Sequence, residues 1–183
     1  MVLISLFACE KTYLPKPKGY NRIELPAESY QLLPDTLPYN FEYSKHALVY
    51  QDTSWISEPF WVDIYYPYFD ATIQVTYKPI NQDSLMKDYL NDSYRLTAKH
   101  NVKAYSIEDK VLMLKSGNVA TVTELEGDVP SPFQFHMTDS LKHFMRGSLY
   151  FKMADKNDSL RPSIDYIKND IIHMLNTLKW KDL

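Results

Sequence analysis

His136, Asp139 and His143 fall within eight positions of one another in the segment HMTDSLKH. Two imidazoles and a carboxylate are the ligand types of a zinc site and the acid-base groups of a hydrolase. Their spacing matches no standard metal motif, and a strand, a polar turn through Thr138 to Ser140 and a returning strand account for the same residues. The turn is the preferred reading, so no metal is expected, with His136, Asp139 and His143 kept as the one set to test. Lys99-His100 is an acid-base pair in type, but cations at a helix end complement exposed carbonyls, and that is the reading taken. Asp155, Asp158, Asp165 and Asp170 lack the glycine and spacing of a calcium loop; Asp158 reads as a helix cap and the others as a solvated face. The GxSxG, HExxH, CxxC and GxGxxG motifs and the phosphate-binding P-loop are all missing. No cofactor is expected, and the protein is expected not to be an enzyme.

The chain has one cysteine, Cys9, which can make no internal disulfide. Val2 to Ala8 (VLISLFA) is apolar, too short to span a bilayer, and stops at Cys9 before the polar Glu10, Lys11 and Thr12. Leu6-Phe7-Ala8-Cys9 resembles a lipobox, in which a small residue lets a signal peptidase cut before a cysteine whose sulfur carries diacylglycerol. Phe7 is bulkier than the usual occupant, and the basic residue that normally opens a signal is absent before Val2, so the reading frame is expected to start further upstream. Residues 1–8 are thus read as a residual signal peptide and Cys9 as the lipid attachment point. No histidine or base neighbours Cys9, which argues against a nucleophile.

Those residues need a scaffold. The 183 residues, 45% hydrophobic and 14% aromatic, suit one domain with a real core. Lys plus Arg number 20 against 23 Asp plus Glu, and a net charge of −3 with mixed signs leaves no footprint for nucleic acid. Fifteen tyrosines beside four glycines favour strands over phosphate-cradling loops. Residues 9–21, with Pro15, Pro17 and Gly19, read as an extended tether and residues 22–183 as the globular domain. Arg22 to Leu25 is a candidate strand closed by Pro26, and Phe41 to Tyr50 a strand interrupted near Ser44 to His46. Phe60 to Tyr66 and Ala71 to Tyr77 alternate about a Pro67 to Asp70 turn and predict a hairpin. From Asp83 the period becomes helical through Tyr94, ending near Lys99 to Asn101. Strands are expected again at Val111 to Leu114, Asn118 to Leu125, Phe133 to Met137 and Phe144 to Met153. Ile164, Ile167, Ile171, Met174, Leu175 and Leu178 then predict a C-terminal helix starting near Asp158 and Pro162. The fold class is α+β: a single domain whose mostly antiparallel sheet is packed by two main helices, one central and one C-terminal. The cluster Trp61, Tyr65, Tyr66 and Tyr68 reads as core and rim of that sheet.

Several segments together, YLPKPKGY (13–20), Arg22 to Pro26, PYNFEY (38–43), TYKPI (76–80), AKHNVKA (98–104), TDSLKHFMRGSLYF (138–151) and Asn157 to Trp180, resemble the gliding-motility lipoprotein family GldD of Bacteroidetes. The resemblance spans almost the whole chain after Cys9. It implies a cell-envelope lipoprotein required for gliding, a process coupled in these bacteria to type IX secretion, with no catalytic activity or cofactor and with lipid on the matching cysteine. It implies partners among other gliding or secretion-machinery envelope proteins, contacted through an aromatic sheet edge and a turn comprising Thr138, Asp139, Ser140, His143 and Arg146. Glu10 and Lys11 form no acidic run of the kind used for surface export, so a periplasm-facing, membrane-anchored location is expected. A metal-dependent hydrolase and a small-ligand carrier with a pocket between sheet and helices remain as alternatives.

Overall fold

Residues 24–152 and 157–181 are described by the computed structural model. Cys9, the tether, Arg22 and Asp155 lie outside them, as does the side chain of Asp158. Strict alternation builds the centre of the fold. In β5 (Val62–Tyr66) and β6 (Ala71–Pro79), every second side chain is buried, and the two pair antiparallel from Val62 with Val75 to Tyr66 with Ala71. Period-two burial of Val62, Ile64, Tyr66, Ala71, Ile73, Val75 and Tyr77 gives one apolar face, as the sequence predicts.

Around this hairpin lie β4 (Leu48–Gln51), β7 (Ala104–Met113), β8 (Val119–Gly127), β9 (Phe133–Thr138) and β10 (His143–Phe151). Together they form a seven-stranded antiparallel sheet in the order β4-β5-β6-β10-β9-β8-β7. The apolar face takes the C-terminal helix α2 (Asn157–Thr177), which buries Ile164, Ile167, Ile171, Met174 and Leu175, the stripe expected from its spacing. Each fully buried aliphatic side chain of this kind contributes about 1.5–3 kcal/mol. Two small ribbons, β1 (Tyr30–Leu32) with β3 (Glu42–Ser44) and β2 (Tyr39–Asn40) with β11 (Lys179–Trp180), close the ends of that layer. The central helix α1 (Asp83–Ala98), extended by a 3-10 turn over Lys99–Val102, crosses part of the opposite face. The α+β class, the antiparallel sheet and both helices are as the sequence predicts.

Three elements differ from expectation. Glu24 and Leu25 are not in a strand: Leu25 is exposed, Pro26 removes a donor, and the first strand comes later at Tyr30. The run from Phe41 to Tyr50 is two strands in different sheets, because a turn closed by Ala47 N donating to Ser44 O (3.1 Å) redirects the chain. β7 starts at Ala104 rather than Val111; Ser106, Glu108, Asp109 and Lys110 hide the pattern because this is an edge strand with little burial. Its first residues carry a bulge opposite Gly127, whose φ of 124° and crowding against Lys103 O exclude a side chain.

Candidate functional site

The turn between β9 and β10 is built by Asp139. Its Oδ1 accepts the backbone N–H groups of Leu141 (3.0 Å), Lys142 (2.9 Å) and His143 (2.9 Å). Thr138 Oγ1 donates to His143 O (2.7 Å) and accepts from Ser140 N (2.9 Å), while Ser140 takes a left-handed φ of 65°. Burial alone would push the Asp139 carboxyl up, but the three N–H donors and nearby His143 outweigh it and hold the group below the usual carboxylate range. Thr138 and Asp139 are therefore occupied with the turn itself. What the tip offers outward is Leu141, 75% exposed.

The residues of the candidate metal set are not brought together. β9 and β10 place His136 beside Arg146 on the α1 face, whereas His143 points with Tyr77 and Met145 into the α2 face. No cluster of metal-ligand type occurs among the described residues. His143 Nδ1 lies 2.8 Å from Tyr77 Oη, its Nε2 is 4.0 Å from Asp139 Oδ2, and its ring stacks on Trp180 at 5.0 Å and 4°. Burial, with help from Asp139, pushes the Tyr77 hydroxyl up to about 12. Tyr, His and Asp in a row look like a proton relay, but Tyr77 and His143 are 1% and 3% exposed, so no substrate reaches them. The row is a polar joint in an aromatic layer that also holds Tyr39 and Phe60.

A different arrangement lies on the α1 face. Here the outward halves of the alternating strands carry Asp63 on β5, Gln74, Thr76 and Lys78 on β6, Phe144, Arg146, Ser148 and Tyr150 on β10, and Gln134 and His136 on β9. Helix α1 covers β9 and part of β10 through Tyr89 on Phe144 (5.5 Å), Tyr94 on His136 (5.7 Å) and Thr97 Oγ1 donating to Gln134 Oε1 (2.9 Å). It meets β6 at its end, where Tyr89 Oη donates to Pro79 O (3.5 Å), and leaves β5 and the rest of β6 open. The resulting cleft has a volume of about 450 Å³, with Ile56, Trp61, Leu96 and Phe144 among its apolar walls and Arg146 and Asp63 among its charges. Trp61 is fixed by its Nε1 donating to Tyr77 O (2.9 Å), and Lys78 is paired with Glu58 and lies over the Trp61 ring at 5.3 Å.

Arg146 is the unusual group. Its Nη2 donates to Gln134 Oε1 at 2.9 Å, and no carboxylate among the described residues pairs with it. Burial lowers its affinity for the proton, and its charge in turn adds to burial in lowering His136 and His100, although Asp109 pulls His136 the other way. Next to it, Gln134 Nε2, Ser148 Oγ and Ser93 Oγ are buried without a partner. Burial, with a contribution from Asp52, raises the Asp63 carboxyl.

Among the expected solvated acids, Asp165 is exposed and paired with Arg161. Asp170 is not: it is 2% exposed and its two oxygens accept Tyr30 Oη (3.0 Å) and Tyr66 Oη (3.1 Å). The helical period places it on the flank of the Ile167 and Ile171 stripe, where the tyrosines satisfy it; burial still raises its carboxyl. Of the aromatic cluster, Tyr66 is core, Tyr68 is exposed and Trp61 lines the cleft. Sequence reasoning placed Arg146 with the turn and passed over Asp63, Ser93, Gln134 and Ser148. The available signal was the alternation in FMRGSLYF, which sets an arginine and a serine opposite an apolar face in mid-strand.

Among curated proteins, none matches this chain. Among solved structures it is similar to cyanobacterial PsbP from Synechocystis sp. PCC 6803, at 14% identity over 87% of this chain and 97% of that one, with a TM-score of 0.49. A family model described as gliding motility lipoprotein GldD matches residues 10–180, which take in the whole sheet, both helices and the 138–146 turn. The chain belongs to the gliding motility lipoprotein GldD family.

Proposed function

We propose that the protein is held at an envelope membrane by lipid on Cys9 and serves gliding, and the type IX secretion coupled to it, through protein contacts rather than catalysis. The family match over residues 10–180 supports the gliding role, and the lipobox-like Leu6 to Cys9 supports the anchor. No helix among the described residues is long and apolar enough to cross a membrane, and the anchor proposed is the acylated cysteine, for which two or more chains give stable attachment. The periplasm-facing orientation belongs to the same proposal and is supported by the residues after Cys9.

The open edge of the sheet supports a contact role. β7 pairs on one side with β8 and exposes Tyr105, Val111 and Met113 along an edge strand that can accept another chain. Leu141 at the tip of the 138–146 turn is the second contact proposed; Thr138, Asp139, Ser140 and His143 shape that tip from within. Pull-downs from envelope extracts test this with wild type beside a Val111→Lys, Met113→Lys double variant. Wild type should recover motility or secretion components, and the double variant should lose them while keeping its fold. Failure of wild type to recover any such component would overturn the reading.

A further inference from the structure

We propose that the cleft between α1 and strands β5, β6 and β10 binds a carboxylate carried on an apolar body, with the Arg146 guanidinium as its anchor. The inference goes beyond the contact role and stands or falls separately from it. An arginine offers five N–H donors in a planar fork that matches a carboxylate, and among the described residues only Gln134 Oε1 accepts from Arg146, through Nη2. Arg146 is half-buried and has no carboxylate partner among the described residues, and its position on the wall of an open cleft suits it to receive an anion.

A second observation points to the same place. Ser93, 4% exposed, lines the cleft with Oγ unpartnered. A buried hydroxyl left open in a native fold calls for a partner the fold itself does not provide. The cleft chemistry selects the class of anion. Asp52, Asp63 and Asp92 lie on its rim and walls and oppose a doubly charged phosphate, whereas one carboxylate balances Arg146 alone. Ile56, Trp61, Leu96 and Phe144 supply the apolar surface for the body attached to it.

The nearby imidazoles provide a reporter. His136, between Asp109 and Arg146, and His100 at the end of α1 are both held low in part by the Arg146 charge. A carboxylate on Arg146 cancels that repulsion, so both rings should bind protons more readily when the site is filled.

The test is a titration of the full chain followed by NMR, using 3-phenylpropionate, the matching amide 3-phenylpropanamide, and inorganic phosphate. The acid should shift signals of β10 and α1 and raise the His136 and His100 titration midpoints; the amide and phosphate should do neither. Arg146→Gln should weaken the acid by at least about thirtyfold, the size of effect seen when one partner of a buried charge pair is removed. Leu96→Trp, which fills the cleft from α1 and keeps Arg146, should also block binding, and circular dichroism checks that both variants fold. A peptide with a carboxyl-terminal phenylalanine identifies the source: tighter binding than the free acid assigns the ligand to chain ends, weaker binding to free acids, and both support the site. Equal response to acid and amide, stronger response to phosphate, or unchanged affinity in both variants would overturn the proposal, leaving Arg146 as a hydrated strut for Gln134.

Discussion

At the scale of single residues, two aspartates with opposite environments make opposite predictions. Asp139 accepts three backbone N–H groups, and its carboxyl sits below the usual range. Asp139→Ala should destabilise the domain by about 1–3 kcal/mol in urea unfolding near neutral pH, the cost of donors left without their acceptor. A lowered folded value means the stabilisation is present above the unfolded carboxylate value of about 4 and is lost as pH falls from there through the lowered folded value, so the gap to wild type should close in acid. Asp170 is the reverse case, raised by burial against Tyr30 and Tyr66. Its contribution is complete below about pH 4 and declines as pH rises through the raised folded value. The stability advantage of wild type over Asp170→Asn should therefore shrink from pH 4 to pH 7, and an advantage that grows would contradict the assignment.

At the scale of elements, β10 carries most of the design, because it sits at the centre of the sheet and serves both faces. Met145, Gly147 and Leu149 face α2, while Phe144, Arg146 and Ser148 face α1. Gly147 is required by packing: a Cβ there would fall 2.2 Å from the Phe135 ring. Gly147→Ala should cost about 1–3 kcal/mol of stability, read as a lowered thermal midpoint, since a ring held in a close-packed core has little room to yield. An unchanged midpoint would show that Phe135 moves aside freely. The β5–β6 hairpin, α1 and α2 were legible in the sequence because each buries one face and so repeats at period two or at helical spacing. β7 was half legible because an edge strand needs no apolar alternation. The cleft was not legible: it depends on α1 covering β9 and part of β10 while leaving β5 and most of β6 open, a matter of tertiary placement rather than local pattern. Asp170 was misread for a related reason, since its tyrosine partners are 140 and 104 residues away.

At the scale of the whole molecule, the fold separates its tasks by face and edge. The α2 face holds the core, the α1 face holds the cleft around Arg146, and β7 forms an edge of the sheet, the contact surface proposed above. Membership of the gliding motility lipoprotein GldD family ties the chain to gliding motility, and the proposed anchor at Cys9 would set where it works. Replacing Cys9 by Ala should move the protein from the membrane to the soluble fraction of cell extracts without altering the thermal midpoint of the domain, because attachment and fold are independent in this account. The central claim, attachment by lipid at Cys9, is tested most directly by mass spectrometry of the N-terminal peptide from the native protein. The account predicts a mature chain that begins at Cys9 and carries a diacylglycerol on its sulfur. A peptide running through Cys9 from Met1 or from an earlier residue, with the thiol unmodified, would contradict it.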